Sequence, residues 1–134
     1  MEDVFYLMKA VVTAATLKTF LVKAGYAVDT VPARQDSWLI VRINEARFEW
    51  DFVEDISREL PLEPEMIETV STISPVGGAI ISYHTNNLPE LRDLLFLVLK
   101  QFEGWVGCDD RWQVLYTAET IYQMKCDYAQ QGNS

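Results

Sequence analysis

The chain is poor in cysteine, in histidine and in positive charge. Its 134 residues hold two cysteines, Cys108 and Cys126, and one histidine, His84. Two cysteines cannot build a disulfide framework, and these are not in the CxxC spacing of a zinc site, so both are expected as thiols. Eleven Lys and Arg stand against 20 Asp and Glu, a formal net charge of −9. That deficit argues against DNA, RNA or an anionic membrane as partner, because those recruit proteins through Lys and Arg clusters that displace counterions. Long apolar runs are missing too. The longest in the N-terminal stretch, Ala10 to Leu17, is broken by threonines and falls far short of the roughly 20 residues of a membrane-spanning helix. The opening MEDVFYLMK carries acids where a secretion signal needs bases, so a cytoplasmic protein is expected. Gly77-Gly78 lacks the GxGxxG or GxxxxGK context of a phosphate loop and reads as a tight turn; no cofactor is expected.

What is present suffices for one packed domain over residues 1–134, with a frayed tail at 130–134: 49% of the residues are hydrophobic and 12% aromatic, enough for a core at this length. Val4 to Val12 reads as a buried strand. Thr13 then caps a helix carrying Leu17, Phe20 and Leu21, and Gly25 stops it. Tyr26 to Val31 is a second strand. Ser37 to Ile43 and Arg47 to Phe52, joined by Asn44-Glu45-Ala46, make a β-hairpin. In ARFEWDFVED, Phe48, Trp50 and Phe52 alternate with Arg47, Glu49 and Asp51, which puts the aromatics on one strand face and the charges on the other.

The segment 53–60 (VEDISREL) has the pattern of a short helix with Ile56 and Leu60 inward. Residues 64–73 fit a helix opened by Pro64 or a strand, with helix preferred. After the turn at 74–78, Ala79 to His84 is a further strand. Asn87-Leu88-Pro89-Glu90 has the chemistry of a helix start, with Asn87 as N-cap, and the apolar positions Leu91, Leu94, Leu95, Val98, Leu99 and Phe102 predict a core helix to Glu103, stopped by Gly104. A last hairpin around Cys108-Asp109-Asp110 leads through Trp112 to Tyr116, and Thr117 caps a terminal helix carrying Ile121, Met124 and Tyr128. Hairpins outnumber strand–helix–strand units, so the expected class is α+β, an antiparallel sheet built of hairpins with helices packed on one face.

Charge is unevenly spread. Residues 45 to 68 contain nine acids and two bases, a net of −7, and the rest of the chain nets −2. Concentrated like charge adds nothing to a core, and its physical use is to steer a basic partner; the plain alternative is a solvated surface. Glu49 and Asp51, two apart on a strand, are the one pair spaced for a carboxylate site, which leaves a small metal-dependent enzyme as an alternative. A solvated strand face explains them as well, and no catalytic or metal residue is assigned. His84 and Cys108 supply residue types of a cysteine nucleophile without its sequence context. Asp109 and Asp110 suit a turn, and exposed tryptophans at hairpins, Trp105 and Trp112, suit partner anchors.

The run LPELRDLLFLVLKQFEGWVGCDDRWQVLY (88–116), a helix leading to a GWVGCDD-type turn and a final strand, resembles small bacterial immunity proteins of polymorphic toxin systems. The resemblance implies an intracellular inhibitor, not an enzyme, that covers a basic toxin or secreted effector with an acidic surface; it carries over no residue by position. In size and acidity alone the chain is also similar to type III secretion chaperones, acidic α+β dimers, which leaves a homodimer open. The expected partner-binding residues are Glu45, Glu49, Asp51, Glu54, Asp55, Trp105, Asp109, Asp110 and Trp112.

Overall fold

The computed structural model describes residues 2–34, 36–56, 64–108 and 111–125. In chain order these form β1 (Glu2–Leu7), α1 (Ala14–Lys23), β2 (Ala27–Thr30), β3 (Trp38–Ile43), β4 (Ala46–Val53), α2 (Pro64–Ile73), β5 (Gly78–Tyr83), α3 (Leu88–Phe102), β6 (Trp105–Cys108) and β7 (Arg111–Tyr116). The strands make one seven-stranded sheet of order β2-β3-β4-β5-β1-β6-β7, and every neighbouring pair is antiparallel. The class is α+β, as the excess of hairpins over strand–helix–strand units predicts.

The sheet has two faces of different chemistry. On the first, Val4 and Tyr6 of β1, Leu39 and Val41 of β3, Phe48 and Trp50 of β4, Ile81 and Tyr83 of β5 and Val106 of β6 meet Leu17 and Leu21 of α1 and the 88, 91, 94, 95, 98 and 99 stripe of α3. Phe48 and Trp50 are fully buried and Phe52 packs at the edge of this cluster. Tyr6 and Trp50 meet edge to face with ring centroids 6.3 Å apart, an arrangement that adds to plain area burial. On the second face Phe5, Leu7, Ile56, Met66 and Val70 form a smaller cluster. Helix α2 therefore lies on the opposite side of the sheet from α1 and α3, so the expectation of helices packed on one face is corrected: Met66 and Val70 are buried against Phe5 and Leu7, the other side of β1 from Val4 and Tyr6. Its assignment as a helix follows the preferred reading of 64–73.

Glycine at 104 is required by close approach. Its φ is +118°, and a Cβ there would stand 2.4 Å from the Leu7 carbonyl oxygen, well inside any contact distance. Just before it, Glu103 ends α3 at φ 63°, a conformation costly for a side-chain-bearing residue. The Tyr6 hydroxyl donates to the Glu103 carbonyl at 2.7 Å and the Glu103 amide donates to Leu99, so packing from both sides holds the turn.

Three further expectations are corrected. The first strand ends at Leu7 rather than Val12: Met8 still exchanges backbone bonds with Gly77 and Val76, but past it no strand pairing continues, and Val11 is exposed while Val12 returns to the core. Asn87 makes no side-chain cap bond. A 3-10 turn, Thr85–Asn87, leads into α3 instead, and His84 Nδ1 accepts the Asn86 amide. Thr117 caps no α-helix: its amide donates to the Thr120 hydroxyl at 2.9 Å, but residues 118–120 form a turn. A single 3-10 turn, Ile121–Gln123, follows, and Met124 is extended. Ile121 and Met124 are still buried, and Arg92 of α3 donates to the Met124 carbonyl through Nε at 2.9 Å; the tertiary bond replaces the helical one. The expected helix at 53–60, Tyr128 and the tail fall wholly or partly outside the described residues.

Candidate functional site

The described acids of 45–68 do not form one surface. Glu45 sits exposed in the two-residue turn between β3 and β4, where Asn44 takes φ 55°. Glu54 and Asp55 follow the other end of β4 and are exposed, and eight residues of strand separate Glu45 from them by roughly 26 Å. Glu65 and Glu68 are exposed on α2. Distance on this scale exceeds the Debye length of about 8 Å, so the charges at the two ends of β4 act separately.

Between them, Glu49 and Asp51 lie on the face opposite Trp50, as the alternation requires, but they are half-buried and engaged by arginines. Arg47 Nη2 stands 3.1 Å from Glu49 Oε1, and Arg34 Nη2 stands 3.2 Å from Asp51 Oδ1. The Arg34 guanidinium also lies 4.4 Å from the ring centre of Trp38, the residue paired with Asp51 across the hairpin. One strand further out, Arg42 Nε bonds Asp29 Oδ2 at 2.7 Å. On β5 and β1 the Ser82 hydroxyl donates to Asp3 Oδ1 at 2.6 Å. This open half of the second face is thus a lattice of opposite charges rather than a bare acidic field. Among the described residues no group of three or more His, Cys, Asp and Glu side chains has the arrangement of a metal site.

The end of the sheet at which β1 finishes is different. There the segment after β1, the approach to β3, the end of β4 and the approach to β5 converge on a groove of about 390 Å³. Met8, Val12, Phe52 and Val53 line it, Val11 and Val76 stand exposed at it, and Asp36 and Glu54 are its two charged residues. The antiparallel registers bring these loops together: Val53 pairs with Gly78 and Gly78 with Leu7. Asp55 lies beside the groove, in a second depression that also contains Glu54, Ile56, Val70 and Pro75.

Trp105 opens β6 at this same end, paired with Leu7. It is half-buried against the second cluster and borders a shallow cleft of about 300 Å³ with Lys9, Lys100, Glu103 and Glu119. Lys9 Nζ stands 3.3 Å from Glu103 Oε2, and the Thr117 hydroxyl donates to Glu119 at 2.9 Å, which holds the Glu119 carboxyl below its ordinary range. Asp109, Asp110 and the side chain of Trp112 lie outside the described residues. His84 is exposed at the end of β5 whereas Cys108 is fully buried, its thiol directed to the Lys125 carbonyl.

Sequence reasoning missed the arginine lattice and the groove. Arg47 and Glu49 two apart on one strand face signal their own pair; Arg34, in a loop, gives no such signal. For the groove the available signal was the Pro75-Val76-Gly77 turn, which presents an apolar residue where turns favour polar ones. In comparisons with known proteins, no family model, no curated protein and no solved structure matched the chain.

Proposed function

We propose that the chain is an acidic protein-binding domain of the immunity type, a cytoplasmic inhibitor that covers a basic toxin or effector. The observation that carries this reading is the joint presence, at one end of the sheet, of exposed valines, an apolar groove and the carboxylates Asp36, Glu54 and Asp55. Apolar surface rimmed by polar groups marks interaction sites on small proteins, and a rim of one sign selects the sign of the partner. A net charge of −9 on 134 residues adds a long-range attraction for a cationic surface. Among the described residues no helix is long and apolar enough to cross a membrane. The test is inhibition in trans: the chain is expressed in a bacterium together with a basic toxin encoded beside it, and survival is scored with the wild type and with a variant carrying Asp36→Lys, Glu54→Lys and Asp55→Lys. Rescue by the wild type, lost in the variant, is expected. Equal survival with and without the wild-type chain contradicts the reading.

A further inference from the structure

We propose that the surface where the 117–125 segment meets α3 receives an arginine side chain of the basic partner, the Asp93 carboxylate pairing its guanidinium and the Tyr122 ring, with Tyr26 beside it, offering aromatic surface to its flat face. This rests on the protein-binding reading and adds a second site to it. Ala14, which opens α1, lines the apolar groove, whereas Tyr26 follows the other end of that helix; ten residues of helix, roughly 15 Å, separate the two places. Asp93 is exposed on α3, and the Tyr122 hydroxyl donates to its Oδ1 at 2.7 Å. Phe96, one turn further along α3, meets the Tyr122 ring with centroids 5.4 Å apart, so Tyr122 is fixed through both its hydroxyl and its ring. It nevertheless stays 53% exposed, an aromatic side chain held in place with much of its surface in water. Burial and then the Asp93 charge push the half-buried Tyr26 hydroxyl above its ordinary range. The bond to Asp93, followed by burial and by the charges of Asp93 and Tyr26, does the same to Tyr122. Two phenols that feel one carboxylate belong to one cluster.

The Asp93 charge has no counter-charge in the fold. Glu49, Asp51 and Asp29 are each engaged by an arginine, but among the described residues the hydrogen-bond and ion-pair partner of the Asp93 side chain is Tyr122 alone. Arg92, its neighbour in sequence, donates to the Met124 carbonyl, and Lys100 Nζ lies 6.0 Å from the Phe96 ring centre. A phenol hydroxyl supplies one hydrogen bond and leaves the charge in place, with carboxylate lone pairs still to be filled. The cluster decides between occupants. An anion is repelled. A neutral apolar group would strip water from Asp93 and return nothing. A second copy of this chain brings a net charge of −9 toward the same carboxylate. An ammonium pairs with Asp93 but is a compact, strongly hydrated point charge. A guanidinium is planar, forks onto a carboxylate and stacks on an aromatic face, so it uses both parts of the cluster at once.

The experiment follows the backbone amide and tyrosine ring resonances of the whole chain by NMR during titration with three acetylated, amidated tripeptides: Gly-Arg-Gly, Gly-Lys-Gly and Gly-citrulline-Gly. Citrulline has the shape of arginine without its charge. The arginine peptide should shift the Tyr26 and Tyr122 ring signals and the amides of Asp93 and Phe96 saturably, while the lysine peptide binds about threefold and the citrulline peptide about tenfold more weakly. Asp93→Asn can still accept the Tyr122 hydroxyl and so keeps the segment on α3; it should bring the arginine and citrulline peptides to within about twofold of each other. Tyr122→Leu, at an exposed position, removes the ring and leaves the charge, and should erase the preference for arginine over lysine while keeping that for arginine over citrulline. Equal affinity for the arginine and citrulline peptides, shifts of the same size at the exposed Asp29 and Asp36, or movement of the Tyr122 signals on simple dilution of the protein, which would reveal a second copy, each overturns the proposal. If a basic partner associates equally well with wild type and Asp93→Asn, the site is wrong while protein binding stands. If the arginine peptide binds as expected but no basic partner is inhibited, the site stands and the wider reading fails.

Discussion

Along β4 the chain presents aromatics to one side of the sheet and charges to the other, and the two sides end up organised by different physics. The aromatic side is closed over by α1 and α3, so that Phe48 and Trp50 lose all contact with water. The charged side is covered by α2 around Phe5, Leu7, Ile80 and Leu115; away from that cluster Glu49 and Asp51 are engaged by Arg47 and Arg34, and Asp29 by Arg42. One side derives its stability from apolar burial. The other neutralises itself. A charged strand face is therefore not the same thing as a charged field: alternation fixes which way side chains point, while the field depends on counter-charges brought in by loops and neighbouring strands.

The sharpest way to test this difference is truncation. Trp50→Ala should cost about 3–5 kcal/mol, the range for emptying a fully buried aromatic site, read as a shift of the urea midpoint at unchanged slope. Met66→Ala, on the smaller cluster of the second face, should cost about 2 kcal/mol, at the low end for a buried methionine, because a helix packed over so small a cluster can settle into the space. A Met66→Ala cost equal to that of Trp50→Ala would mean that α2 is as integral as α3.

Smaller, and specific to the aromatic side, is the effect of Tyr6. Burial pushes its hydroxyl pKa well above the ordinary value of 10.0, and the hydroxyl is committed to the Glu103 carbonyl. With the folded pKa raised, stability from this group is intact below about pH 10, where both states are protonated. It is lost as pH climbs from there toward the folded pKa, because only the unfolded chain ionises. Tyr6→Phe should cost about 1 kcal/mol at neutral pH, the net worth of one hydrogen bond, and should flatten the decline above pH 10 in denaturant titrations. An unchanged decline would assign the alkaline loss to other groups.

How far the sequence disclosed this arrangement depends on range. Signals carried within a few residues were legible: the β4 alternation, the Thr13 cap, which accepts the Thr16 amide at 3.1 Å, the apolar stripe of α3 and the helix at 64–73. Signals that needed a distant partner were not. The 117–125 segment has helical spacing of Ile121 and Met124, yet Arg92, 32 residues away, takes the Met124 carbonyl. Nothing local tells which face α2 covers. The acidic excess of 45–68 was plain in composition, but the engagement of its strand acids depends on Arg34 folding back onto Asp51, and the groove on four loops meeting at one end of the sheet.

We propose that this end, and not the strand face, is where a basic partner is steered and held. It is tested most directly by two variants that remove the same amount of charge in different places, Asp36→Asn with Glu54→Gln and Glu49→Gln with Asp51→Asn, in stopped-flow association with the basic partner across a range of ionic strength. For the wild type the on-rate should rise at low salt above the neutral range of roughly 10⁵–10⁶ M⁻¹s⁻¹. The groove-end variant should lose most of that rise, with a drop of about fivefold or more at low salt, while the strand variant stays within about twofold of wild type, since its charges lie on the strand face and not at the contact. Equal losses in the two variants, or a larger loss from the strand, would contradict the claim and return the binding surface to β4.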